Sequence, residues 1–210
     1  PISPRSSSAP HGIFYSQRTG FTPMPFRENW PAAFVTWYGA AIYCNVRSTW
    51  DGYAFAFDPE TWENPQIYYN PYNKEGWRLP SEAEWEYMAS YDSNLLYPTG
   101  DVPPEPGVDG NFVSALNSPT DVGSFPEGAT ALGLLDLSGN VYEWCVDWMG
   151  LYSETAVTDP QGARSGESRI IRGGSWNSPP EELRCDYRFS TKPDRAYDGL
   201  GFRCVRSVNP

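Results

Sequence analysis

Glycine and proline interrupt this chain so often that only two stretches keep the spacing a helix needs. The 19 glycines and 21 prolines are spread without period through 210 residues. Proline removes a backbone donor and fixes φ, and glycine raises the entropic cost of ordering, so each shortens the regular element it falls in. The first surviving stretch follows Thr36. Trp37, Ala40, Ala41 and Cys44 fall at i, i+3, i+4 and i+7, one stripe of an amphipathic helix with Thr36 as its N-cap. The second is "RLPSEAEWEYMAS", where Ser81 and Glu84 make a capping box and Ala83, Tyr87 and Met88 are expected to share the buried face.

Around these helices the chain is irregular. Residues 48–77 read as short strands and loops, and residues 92–131 as one long loop, which a compact domain usually keeps for an ion or a functional surface. "GLLDLSGNVYEWCVDW", "SRIIRGGSW" and "LGFRCVRS" read as turn and strand material. The expected class is α+β, with two helices, short strands and high loop content. Residues 1–33, rich in Pro and Ser, are expected to be an arm or edge segment of the same domain, which fills 34–210.

Composition narrows the function. Nine Trp and 14 Tyr rule out a disordered chain. A formal charge of −11 repels phosphate backbones and anionic lipid, so neither nucleic acid nor a membrane surface is an expected partner. No apolar run approaches the roughly 20 residues of a spanning helix. The chain starts at Pro1 without Met, basic start or apolar run, which reads as a processed or trimmed form; membrane attachment would need an N-terminal anchor upstream.

Cys44, Cys145, Cys185 and Cys204 contain no C-x-x-C, and His11 is the single imidazole, so ordinary Cys/His zinc is not expected. Four buried thiols, one bridge with two thiols, and two bridges all remain open. A Ser–His–Asp arrangement has no histidine to use beyond residue 11. Glu181 and Glu182 read as part of an exposed, Pro-flanked turn, where acid–base chemistry is not expected.

Four segments then stand in order: "TWYGAAIYC" (36–44), "RLPSEAEWEY" (78–87), "GLLDLSGNVYEW" (133–144), and "RGGSW" (172–176) with "LGFRC" (200–204). Together they resemble the formylglycine-generating-enzyme, or sulfatase-modifying factor, family. That resemblance implies its variant of the C-type lectin-like fold. Oxidases of the family carry a copper-binding cysteine pair shortly after "RGGS". Here that stretch is "WNSPPEELRC", and Asn177 through Leu183 contain no cysteine. Soft Cu(I) needs thiolates or similar donors, so copper is not expected. A second branch, the iron-dependent sulfoxide synthases, uses histidines that this chain lacks, so iron is not expected either.

The same resemblance implies two structural features. Cys44 and Cys204 match positions that some members join in a disulfide, a bridge worth roughly 5 kcal/mol by chain entropy. The usual partner of the Cys185 position matches Ala89, which leaves Cys145 and Cys185 either bridged to each other or as buried thiols. A structural calcium is implied on Asp136, the carbonyls of Gly139 and Val141, and Glu143, four hard oxygens on one turn. The alternative there is that Glu143 pairs with an arginine and Asp136 caps a turn. Arg172, Arg184 and Arg203 are expected to be structural, pairing with Glu84, Glu86 or Asp147.

The C-terminal segment 172–204 also resembles the ligand-display segment of diversity-generating-retroelement variable proteins, whose frame residues 172–203 follow with Arg195 one place early. Tyr187, Phe189, Ser190, Thr191, Arg195, Ala196, Tyr197 and Asp198 then fall at positions of the variable kind, with Asp186, Trp176, Trp148 and Tyr152 expected nearby. Lys192 fits that pattern poorly. Aromatic rings give contact area with few rotors to freeze, and Ser, Thr and Asp supply adaptable hydrogen bonds. Such a patch could cover about 800 Å² of one partner. Three functions follow: a non-catalytic, monomeric binding protein displayed outside the cell, an oxidase with altered ligands, or an accessory module of a surface assembly. The first is favoured, with a protein as ligand ahead of a glycan.

Overall fold

The computed structural model describes residues 28–58, 73, 75–91 and 94–207. The expected arm up to residue 27, His11 with it, lies outside the described residues, as does the segment 59–72.

Helix α1, Trp37–Trp50, starts where the stripe predicts, and the Thr36 hydroxyl accepts a hydrogen bond from the Gly39 N–H. It buries Trp37, Ala40, Ala41 and Cys44, and also Asn45 and Ser48. Those two polar side chains are satisfied locally. Asn45 holds both backbone groups of Phe57, at 2.6 and 3.0 Å, and the Ser48 hydroxyl donates to the Cys44 carbonyl at 2.9 Å.

Helix α2, Glu82–Ser90, carries the complete capping box between Ser81 and Glu84. Its buried face differs from the expected one. Glu82, Trp85 and Ala89 turn inward, whereas Tyr87 is 52% exposed and Ala83 and Met88 are half-buried. Hydropathy alone could not choose Glu82, because its burial depends on an arginine supplied more than a hundred residues later (Arg188, at 2.7 Å).

Four strands form one sheet: β1 (Tyr142–Trp148), β2 (Arg169–Arg172), β3 (Phe189–Thr191) and β4 (Leu200–Gly201), in the order β3-β2-β1-β4. β2 runs antiparallel to both β1 and β3, and β4 joins β1 in parallel. All residues of β1 are buried because a helix covers each face of the sheet. Tyr142, Trp144, Val146, Ile171 and Leu200 pack with Trp37, Ala40, Ala41 and Cys44 of α1. On the other face Cys145 and Ile170 meet Trp85 and Ala89 of α2, with Leu137 and Cys185. The indole N–H groups of Trp37 and Trp144 find the carbonyls of Cys145 and Val35, so the aromatic core leaves these donors satisfied. The expected α+β class is the one observed.

The described part of the long loop, from residue 94, contains a single 3₁₀ turn, Pro126–Gly128. It is tied down by its backbone. Val113 and Ser114 donate to the carbonyls of Ser178 and Trp176, and Thr120 N–H donates to Asn140 Oδ1. The loop therefore supports the turn that follows β2. Among the described residues no helix is long and apolar enough to cross a membrane.

Candidate functional site

"RGGSW" closes β2 and turns the chain back. Gly173 and Gly174 both take positive φ, 94° and 72°, and a Cβ on Gly174 would stand 2.5 Å from Leu183 Cδ2. Only glycine fits there. Ser175 N–H donates to Ser178 Oγ at 3.0 Å, closing the turn, and a short 3₁₀ helix, Pro180–Leu183, follows. Proline opens that helix at a position whose N–H would be unused. The helix brings Glu182 to Tyr142 of β1.

The result is a chain of hydrogen-bonded oxygens. The Ser175 hydroxyl donates to Asn177 Oδ1 at 2.7 Å and lies 3.3 Å from Ser178 Oγ. Ser178 reaches the Tyr142 hydroxyl at 3.5 Å, and that hydroxyl donates to Glu182 Oε2 at 2.5 Å. Tyr187 reaches the other carboxylate oxygen at 3.5 Å. Burial pushes the Tyr142 phenol well up from its ordinary value, and the hydrogen bond to Glu182 adds to it. Burial likewise raises Tyr197, to about 12, and Tyr187, with the charge of Glu182 contributing to each. All three rings stay protonated at neutral pH. Phe189 covers the group from β3, its ring centre 6.0 Å from that of Tyr142. Hydroxyls and a carboxylate so arranged can exchange hydrogen bonds and attract a cation; they offer no soft donor and no redox couple.

The edge strand β3 divides the face expected from the sequence. Phe189 and Thr191 pair with Ile171 and Arg169 and share the α1 side, while Ser190 pairs with Ile170 on the α2 side. Tyr152 belongs to that second side, its ring 3.9 Å from the guanidinium of Arg188 and its hydroxyl 3.4 Å from Glu86 Oε2. Trp148 needs correction as a contact residue. It is 5% exposed, and its ring stacks on the Arg169 guanidinium 3.5 Å away, inside the sheet. Asp186 is exposed but paired with Arg184 at 2.8 Å. Arg195 is exposed, and Ala196 and Asp198 are half-buried. Tyr197 packs on the first core, and its carbonyl accepts from Phe34 and Leu200, so it is framework as well as surface. Trp176 is half-buried beside Gly199.

The surface brought together is thus Phe189, Tyr187 and Glu182, backed by Tyr142, Ser178 and Ser175. The last four of these were not singled out from the sequence as site residues. The Pro179–Pro180 pair before two glutamates is a helix-start signal and could have found Glu182. Nothing local distinguishes Tyr142 from an ordinary core position.

Arginines hold this face in place. Arg172, fully buried, donates to Glu86, to the carbonyls of Tyr187 and Cys185, and lies 3.6 Å from Glu82. Arg188 forks onto both oxygens of Glu82 at 2.7 Å. The Arg172–Glu86 pairing is as expected, but Glu84 pairs with Arg78, Arg184 with Asp186, and Arg203 with Glu143.

That last pair bears on the calcium expectation. Both Glu143 oxygens accept from Arg203 at 2.6 Å, and Trp85 Nε1 adds a third bond at 2.7 Å. A divalent ion on this carboxylate would share it with a half-buried guanidinium, two like charges within a few ångströms. Asp136 accepts from the Gly123 N–H at 2.7 Å, while its Oδ1 is buried without a hydrogen-bond partner. Gly139 and Val141 contribute to the same turn, in which Glu143 has an arginine as its counter-charge.

All four cysteines are thiols. Cys44 and Cys204 are brought together, their sulfurs 3.5 Å apart. Cys145 and Cys185 share the second core cluster, and burial pushes both thiols up, Cys185 to about 12. None stands in the Ser175–Glu182 chain.

Asp147 is the most perturbed carboxylate. Burial pushes it up to about 7, the charges of Glu82 and Glu84 reinforce this, and the Glu82 N–H and Arg169 oppose it. Gly162, at positive φ, lies so close over Oδ1 that no side chain would fit. A carboxyl that is neutral when folded and ionised when unfolded stabilises most below the unfolded value near 4, and that stability is lost as pH rises through 7. Melting temperature is therefore expected to fall between pH 5 and 8 by the equivalent of about 2–4 kcal/mol from this group. Asp147→Asn, which still accepts the Glu82 N–H, is expected to flatten that slope; an unchanged slope would place its origin elsewhere.

With this geometry in hand, three comparisons bear on its meaning. Residues 11–208 match the sulfatase-modifying factor enzyme 1-like domain. The chain is 37% identical over 183 residues to serine/threonine-protein kinase Pkn1 of Chlamydia trachomatis, covering 85% of this chain and 24% of that protein. It is 30% identical over 201 residues to the formylglycine-generating enzyme of Mus musculus, covering 88% of this chain and 46% of the enzyme. Among solved structures it is similar to Treponema denticola variable protein 1, with a TM-score of 0.72, 25% identity, and coverage of 89% of this chain and 75% of that one. The chain spans less than half the length of either of these curated relatives.

Proposed function

The chain belongs to the sulfatase-modifying factor enzyme 1-like domain family, and from that premise we propose that it is a non-catalytic ligand-binding domain acting through the face around Glu182, Tyr187 and Phe189. One arrangement supports this above all. The turn after "RGGS", where the family's oxidases are expected to keep paired thiols, here carries Ser175, Ser178 and Glu182, and the four thiols lie elsewhere. The likeness to a variable protein adds to it. We infer presentation outside the cell, as a monomer, to a protein partner. The Cys44 and Cys204 sulfurs already touch, so an oxidising compartment would let them bridge.

The competing function, an oxidase with altered ligands, draws on the identity to formylglycine-generating enzyme. Two measurements separate them. On peptide and glycan arrays the chain is expected to give hits that vanish in the double variant Tyr187→Ala, Phe189→Ala, with the melting temperature nearly unchanged. Supplied with Cu(I), oxygen and a cysteine-containing sulfatase peptide, it is expected to form no aldehyde. Aldehyde formation would overturn the binding function.

A further inference from the structure

Resting on that binding function, we propose that Glu182 is the anchor for a basic side chain, lysine or arginine, of the protein partner. Four carboxylates near this face are matched with arginines of the same chain: Glu82 with Arg188, Glu86 with Arg172, Glu143 with Arg203, Asp186 with Arg184. Glu181, Asp194 and Asp198 form no ion pair among the described residues, and Glu182 differs from these in being held by side-chain hydrogen bonds. Among the described residues no lysine or arginine forms an ion pair with it, and its carboxylate accepts from two phenols, Tyr142 on one oxygen and Tyr187 on the other. An ionised carboxylate has about four acceptor directions, so two remain open.

The surroundings suit a cation. Phe189 is 46% exposed and Tyr187 half-buried, which offers ring faces beside the carboxylate, the pairing that attracts ammonium and guanidinium groups. The phenols orient the carboxylate without neutralising it. A chain of net charge −11 also steers a basic partner toward it. An anionic or purely apolar ligand would meet an unneutralised carboxylate at the centre of the patch.

The test uses two short peptides identical except for one central residue, arginine in the first and citrulline in the second. They are titrated into the chain carrying fluorotyrosine and followed by fluorine NMR. The arginine peptide is expected to shift the Tyr142 and Tyr187 signals saturably, with an affinity that falls as salt rises. The citrulline peptide is expected to leave them in place. Glu182→Gln is expected to weaken the arginine peptide by about tenfold or more, as loss of a charge-assisted contact does. If that variant melts lower, the two peptides on the unaltered chain decide alone. Equal responses to both peptides, or no response to either, would overturn the anchor while the array hits could still stand. An array without hits that depend on Tyr187 and Phe189 would remove the binding function itself.

Discussion

Arg172→Met is expected to cost about 3–5 kcal/mol of stability, a large part of what a domain of this size possesses. The side chain is fully buried, and three elements depend on it. It starts in β2, donates to Glu86 of α2, and holds the carbonyls of Tyr187 and Cys185 just before β3. Methionine fills much of the space but supplies no donor. Two carbonyls lose their partner, and Glu82 and Glu86 lose the positive charge between them. Urea unfolding monitored by tryptophan fluorescence would measure the loss. The matched control is Arg184→Ala, whose exposed pair with Asp186 leaves stability unchanged when broken. A loss from Arg172→Met no larger than the control's would show that the segment leading into β3 does not depend on this arginine.

The second large effect is at Glu143. Glu143→Ala is expected to cost about 2–4 kcal/mol, because it leaves the half-buried Arg203 guanidinium and the buried Trp85 indole N–H without their acceptor. The double variant Glu143→Leu, Arg203→Met is expected to recover most of that loss, since well-packed apolar residues can replace a buried pair at little cost. Calcium distinguishes the alternatives. With an arginine as counter-charge, neither chelation nor millimolar calcium is expected to move the melting temperature of the unaltered chain. A calcium-dependent rise that disappears in Glu143→Ala would restore the ion to this turn.

Local signals gave the parts of the fold that depend on neighbours in sequence. The Thr36 cap, the α1 stripe and the Ser81–Glu84 box are set within one or two turns, where side chain and backbone compete over short distances, and each formed as spaced. The inward face of α2 was not legible, because its buried carboxylate is stabilised by Arg188. The proposed binding face was legible in part. Phe189 and Tyr187 were visible as aromatic residues in a fixed frame, but Trp148 of the same set is core, and alternation along β3 sends Ser190 to the other side of the sheet, where Tyr152 packs on Arg188. Glu182 was read as solvent-exposed, because nothing in "PPEEL" reveals that Tyr142, forty residues earlier, will stand 2.5 Å away.

By itself the sequence determined where helices could start, that the class is α+β, and that no cysteine pair follows "RGGS"; these are properties of spacing and composition. Only the tertiary structure decided which charge meets which. Glu143 faces Arg203, Arg172 takes Glu86, and Glu182 is left with phenols. Ion pairing acts through space, between residues as many as 106 positions apart, and a list of residues does not contain those distances.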